Sequence, residues 1–128
     1  MKVDTHTAKQ LFQKDIRYLI PTFQRPYVWN QEDQWEPLWV DLRNTAEQYL
    51  DELAAGASEQ EAVQKTGTHF MGAIVLKQRP TATASVEERD VIDGQQRMTT
   101  LQLVLDAAQE CFELLKYKKE ADHLKRLV

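Results

Sequence analysis

The run Val91-Ile92-Asp93-Gly94-Gln95-Gln96-Arg97, followed by Met98-Thr99-Thr100-Leu101, brings a carboxylate, two amides and a guanidinium together around a single glycine. Two β-branched residues close a strand, Gly94 permits a sharp turn, and the residues beyond it open a helix whose first N–H groups have no acceptor within the helix. Such a corner suits a phosphate group. Arg97 sharpens the point: a cation in the opening turns of a helix opposes the macrodipole, at a cost of up to about 1 kcal/mol, which nearby negative charge offsets. Asp93 has two readings. As a cap, its carboxylate accepts from the N–H of Gln95 or Gln96; as a chemical group, it holds a metal ion or orients water beside a bound phosphate. A carboxylate at that helix end repels a phosphate unless Mg2+ bridges the two or the side chain turns away, so a triphosphate here implies a divalent cation. Gln95 and Gln96 either satisfy nearby backbone or hydrogen-bond a base, ribose or phosphate. Thr99 either helps the helix start or touches the same ligand.

A second set of candidates is Gln24-Arg25-Pro26-Tyr27 with Trp29. The residue before a proline is pushed out of the helical region, so Arg25 is expected in an extended backbone, offering a guanidinium fork among aromatics. Tyr27 and Trp29 point the same way in such a chain and either line a ligand or bury in the core. His69 has only His6 and His123 for company, which gives no metal-ligand spacing, and it reads as a structural histidine. The sequence contains no G-x-x-x-x-G-K-[ST], no G-x-G-x-x-G after a strand, no H-E-x-x-H and no nucleophile elbow. A phosphate site in this chain is therefore of another type.

Several elements must position these groups. Thr7 to Gln13 reads as a short helix with Thr5 or Thr7 as cap and Leu11 and Phe12 facing inward. Arg17 to Ile20 reads as a strand ended by Pro21. Asn30, with Asp33 three residues on, starts a helix carrying Trp35, Leu38, Trp39, Leu42, Tyr49, Leu50 and Leu53 at helical spacing, and Pro37 predicts a kink or a start nearer Asp33. Gly56 to Gly67 is polar and reads as a mobile loop. The run Phe70 to Leu76 is apolar on both alternations, which predicts a central strand covered on both faces, with Gly72 marking a bulge or a close backbone neighbour. Pro80 to Ser85 is a connector too short for a helical crossover, so the strand Arg89 to Ile92 should pair antiparallel with the one before it. A final helix from about Gly94 presents Met98, Leu101, Leu105, Ala108, Phe112 and Leu115 on one stripe, breaking near Lys118-Lys119. The interleaving predicts an α/β (α+β) fold, a small mixed sheet flanked by helices, over 1–128 as one domain with one core.

Composition bounds the function. A chain of 128 residues can fold without disulfides or metal. Its 42% hydrophobic and 28% charged residues place it with globular rather than disordered or membrane-spanning chains. The net charge of −4 argues against a domain that coats itself on nucleic acid by bulk electrostatics, so any polyanion contact must be local. Lys116, Lys118, Lys119, Lys125 and Arg126 cluster late in a helix, where cations complement its dipole. Cys111 stands alone on an apolar stripe and reads as a small buried hydrophobe. No leader-like segment opens the chain and no run approaches ~20 apolar residues, so a cytoplasmic setting is expected and a membrane is not.

Four segments in order carry a resemblance. Ile20-Pro21-x-x-Gln24-Arg25-Pro26-Tyr27-x-Trp29, Leu38-Trp39-x-Asp41, His69-Phe70-x-Gly72-x-Ile74-Val75-Leu76 and the Val91–Leu101 run together resemble the DGQQR-motif N-terminal domain of GmrSD-type (type IV) restriction enzymes. The resemblance spans nearly the whole chain. It implies a ParB/sulfiredoxin-like fold in which a glycine-arginine turn opening a helix receives nucleotide phosphates. Carried over, it puts Asp93, Gly94, Gln95, Gln96 and Arg97 at the nucleotide, with Gln24 and Arg25 opposite. It implies a module that binds and hydrolyses NTPs with Mg2+ and couples that step to DNA cleavage by a fused or separate nuclease domain, in defence against modified phage DNA. No segment here matches such a nuclease. The expectation is thus the N-terminal part of a longer protein, with Asp93 on metal or water; the alternative is a non-catalytic DNA-binding or protein-docking module in which Arg25 and Arg97 meet a nucleic-acid backbone.

Overall fold

In the computed structural model, which describes residues 1–22 and 26–128, the elements run α1 (Ala8–Gln13), β1 (Ile16–Leu19), a π-helical turn (Gln31–Trp35), α2 (Glu36–Ala54), α3 (Glu59–Thr66), β2 (Val75–Gln78), β3 (Glu87–Asp93), α4 (Gln95–Leu114) and α5 (Lys118–Lys125). The chain divides into two compact units, Met1–Arg25 with Gly72–Val128, and Pro26–Met71. The expected class is what the structure has: a small mixed sheet accompanied by helices.

In the first unit the strand order is β1-β3-β2, with β1 parallel and β2 antiparallel to the central β3. The antiparallel partner follows the short connector as anticipated, but the central strand is β3, not the apolar run Phe70 to Leu76. Strand β2 begins only at Val75, Phe70 is exposed, and Gly72 sits at φ 104°, a left-handed value that interrupts any strand before it. Apolarity alone could not distinguish a buried strand from a segment that packs as irregular chain. Val91 in β3 is the one large side chain buried completely among the described residues, and Met98 and Thr100 of α4 and Ala121 of α5 join it in the interior.

Helix α1 begins at Thr7, whose hydroxyl accepts from Gln10 N–H at 3.2 Å while the Gln10 side chain accepts from Thr7 N–H at 2.9 Å, a complete capping box. The last helical stretch breaks at Leu115–Tyr117, with Lys116 at φ 64°, slightly before the expected lysine pair. Helices α4 and α5 then pack against each other, and Lys125 Nζ meets Glu113 Oε1 at 2.6 Å. Cys111 is exposed rather than buried, since it falls about 100° round the helix from the half-buried Phe112, and Leu115, at the break, is exposed as well.

The second unit is built on α2 and α3. Asn30 caps as expected, its side-chain oxygen accepting from Asp33 N–H at 2.9 Å. The first turn is π-helical, with Trp35 N–H reaching Asn30 O at 3.1 Å. Pro37, which has no N–H to donate, falls in the first turn of the α-helix proper, and the wide turn before it accommodates the missing bond. Of the expected inward stripe, Leu38, Leu42, Tyr49 and Leu53 are half-buried, while Trp35, in the π-helical turn, and Trp39 and Leu50, both on one flank of the stripe, are exposed. The polar segment read as a loop contains α3. Ser58 and Glu61 form a second capping box, and Ala62 is fully buried.

Candidate functional site

The Val91–Leu101 run folds as strand, turn and helix. Strand β3 ends at Asp93, Gly94 takes φ 92° and ψ 15°, and α4 follows at once with Met98 N–H bonded to Gly94 O at 3.0 Å. Gly94, at the N-cap position, has no side chain to cap α4, and the first turn of this 20-residue helix holds no acidic residue to complement its positive end. Asp93 takes neither of the two positions foreseen for it as a cap. Its Oδ1 accepts from Gly94 N–H at 2.8 Å, on the strand side of the turn, and the side chain is exposed.

Gly94 is buried, and its conformation is enforced from two sides. The left-handed φ already disfavours any L side chain. A methyl group there would also fall 3.0 Å from Ala73 O and 3.0 Å from Ile74 Cγ1. The segment Gly72–Ile74 therefore runs directly against the turn, and the close neighbour that Gly72 suggested is Arg97. A methyl group on Gly72 would overlap Arg97 Nε and lie 2.7 Å from Cδ and 2.9 Å from Cζ. The guanidinium lies over the bare glycine, and its Nη1 donates to Ala73 O at 3.1 Å. Two glycines, one from each segment, thus let the backbone of one and the side chain of the other interlock. Gly72 and Ala73 were not among the candidate site residues, although the glycine within an apolar run was their signal.

The other candidates are distributed as follows. Gln95 and Gln96 stand half-buried in the first turn of α4, and Thr100, one turn on, donates its hydroxyl to Gln96 O at 2.8 Å. Thr99 lines a different feature, a cavity of about 350 Å³ shared with Phe12, Ile16, Tyr18, Gln102 and Leu127. In that cavity's wall the Tyr18 hydroxyl donates to Leu11 O at 2.8 Å; burial pushes its phenol above the ordinary value, with Arg89 opposing the rise and Glu87 adding to it. Gln24 and Arg25 lie outside the described residues. Tyr27 belongs to the Pro26–Met71 unit, where its hydroxyl accepts from Trp35 Nε1 at 2.7 Å and its ring tilts against the indole with centroids 6.3 Å apart. His69 faces Asp41, Nε2 to Oδ2 3.8 Å, in the same unit.

Among the described residues no three His, Cys, Asp or Glu side chains converge as a metal-binding group. Asp93 supplies one carboxylate, half engaged by its own turn. That fits Mg2+ only in the way the ion is held in many phosphate sites, by one carboxylate together with water and ligand oxygens.

A family model described as GmrSD restriction endonuclease, N-terminal domain, matches residues 8–127. No curated protein and no solved structure matches the chain.

Proposed function

The chain belongs to the family of GmrSD restriction endonuclease N-terminal domains, and from that premise we propose that it is the nucleotide-binding module of its restriction system, receiving a triphosphate tail at the start of α4. The observation that carries the reading is the turn itself: a left-handed Gly94 opens α4, whose first turn holds no acidic residue and carries Arg97. Backbone N–H groups, helix dipole and a guanidinium there converge on one place, and each favours an anion. The Ala73 contact occupies one of the five guanidinium donors.

Gln95 and Gln96 are the groups to contact ribose or phosphate. Asp93, bound to Gly94 N–H through Oδ1, offers its second oxygen to Mg2+ or to a water, which is where hydrolysis would be assisted. Mg2+, when bound, would neutralise phosphate charge and remove the repulsion between Asp93 and the ligand. Gln24, Arg25, Tyr27 and Thr99 remain proposed contacts to the nucleotide. In this reading nucleotide binding regulates DNA cleavage by a nuclease domain, fused or separate, in defence against phage DNA.

Calorimetric titration of ATP and GTP, each with and without Mg2+, against the wild type and Arg97→Ala tests the assignment. Loss of a charge-assisted contact of about 1.5–3 kcal/mol predicts affinity weakened roughly tenfold to a hundredfold, with Mg2+ required for full affinity. Equal affinity in both proteins would sink the site. DNA affinity that needs no nucleotide and falls steeply with salt would favour the DNA-binding alternative instead.

A further inference from the structure

The contact between Arg97 and Gly72 falls where the chain passes out of the Pro26–Met71 unit and resumes in the sheet unit, for Gly72 is the first residue on the sheet side. Three observations meet there. Gly72 holds φ 104°, the Arg97 side chain lies on it without room for a methyl group, and Nη1 is bonded to the next carbonyl, Ala73 O. Behind that peptide stands Gly94, with Ala73 O and Ile74 within about 3 Å of where a side chain would begin. The link is thus held on one side by the turn that opens α4 and on the other by a side chain from the same helix.

We infer that Arg97 is a latch on the Gly72–Ile74 segment, and that an anion taking its guanidinium releases that peptide. In this proposal a fork that turns to bind a phosphate bidentately at the helix start gives up the Nη1 bond to Ala73 O, because its planar donors are fixed relative to one another. A ligand that competes for Arg97 therefore trades one bond for another, and the link loses its pin. The release step rests on the nucleotide reading above; the pin does not. Through it, occupancy at α4 is reported to the Gly72–Ile74 peptide, and from there to β2, which starts at Val75. Arg97 is in this sense a positioning residue as well as a ligand contact.

Hydrogen exchange on the full chain, followed at the amides of residues 72–75, reads the latch through local opening, since Arg97 holds the Ala73 carbonyl and not an N–H. The probes are inorganic triphosphate with Mg2+ and the variants Arg97→Ala, Arg97→Lys and Gly72→Ala, with far-UV spectra as the control for folding. In the wild type, triphosphate should raise exchange at these amides by on the order of tenfold, the change in local opening that loss of one restraining bond of about 1.4 kcal/mol gives. Arg97→Ala should show the raised exchange without ligand and no response to it. Gly72→Ala, which pushes the guanidinium off Ala73 O but keeps its charge in the chain, should likewise exchange fast yet still bind triphosphate. Arg97→Lys should retain binding through its charge but not the protection, since it lacks the planar fork. Triphosphate that binds by calorimetry without changing exchange at residues 72–75 would overturn the release and leave the nucleotide reading standing. No binding, with exchange raised in Arg97→Ala, would overturn the nucleotide reading and the release with it but uphold the pin. Unchanged exchange in Arg97→Ala would overturn the latch altogether.

Discussion

Four residues decide this protein's local chemistry, and they do so by what they lack as much as by what they carry. Gly94 and Gly72 have no Cβ where one would collide, and that absence lets the Gly72–Ile74 peptide and the Arg97 side chain occupy the space around the turn. Replacing Gly94 by alanine should therefore destabilise the fold by about 1–3 kcal/mol, the sum of a left-handed penalty and a contact that must shift. Urea unfolding followed by circular dichroism reads it; a midpoint equal to that of the wild type would contradict the packing at Ala73 and Ile74. Much of this corner was legible in the sequence. Two β-branched residues, a glycine and a fresh amphipathic run announce a strand, a turn and a helix start, and the structure has them at Val91, Gly94 and Gln95. Its partner was not legible. Nothing in the spacing of Gly72 and Arg97, 25 positions apart, says that one lies on the other, and Asp93 turned out to bind its own neighbour's amide rather than the helix.

Elements were readable where a cap announces them and misleading where only apolarity does. Thr7 and Asn30 caps stand where polar residues precede amphipathic runs. The helix α3 was missed because its sequence, Glu59–Thr66, is polar enough to pass for a loop, yet Ser58 and Glu61 held the capping-box spacing all along. Ser58→Ala should cost about 1 kcal/mol, seen as faster amide exchange across α3; no change there would mean the box does not hold the helix. The apolar run Phe70 to Leu76 misled in the opposite direction, since Gly72 breaks the strand that its composition advertises. The pairing of α4 with α5 leads to a pH prediction. The hydrogen bond and charge of Lys125 hold the Glu113 carboxyl below the ordinary value of 4.5, and the same bond holds the Lys125 ammonium above 10.5. A depressed carboxylate stabilises the fold above its unfolded value and loses that contribution as pH falls through the folded one. A raised ammonium stabilises below its unfolded value and loses its share as pH rises through the folded one. The α4–α5 elbow should thus loosen at both acid and alkaline extremes, with Glu113→Gln abolishing the acid limb. Carboxyl chemical shifts followed through an NMR titration would contradict this if Glu113 titrated at or above its ordinary value.

At the scale of the whole molecule, charge is unevenly shared. Residues 26–71 hold nine acidic side chains against two basic, so the rest of the chain carries eleven acidic against fourteen basic. Any contact with a polyanion therefore belongs to the part that contains the sheet and α4, while the acidic part repels it. Binding of a DNA duplex by this chain alone should be weak and should fall further as salt rises; tight binding that is indifferent to salt would contradict that distribution. No helix among the described residues is long and apolar enough to cross a membrane. The family match gives the setting, a restriction system, and the corner around Gly94 is where we propose that a nucleotide binds. The most direct test is a crystal structure of the chain with a non-hydrolysable triphosphate and Mg2+. The account predicts phosphate oxygens against the backbone N–H groups of the first turn of α4, Mg2+ between them and Asp93, and the Arg97 guanidinium turned from Ala73 O toward the ligand. A triphosphate bound elsewhere, with Arg97 still lying on Gly72, would contradict it.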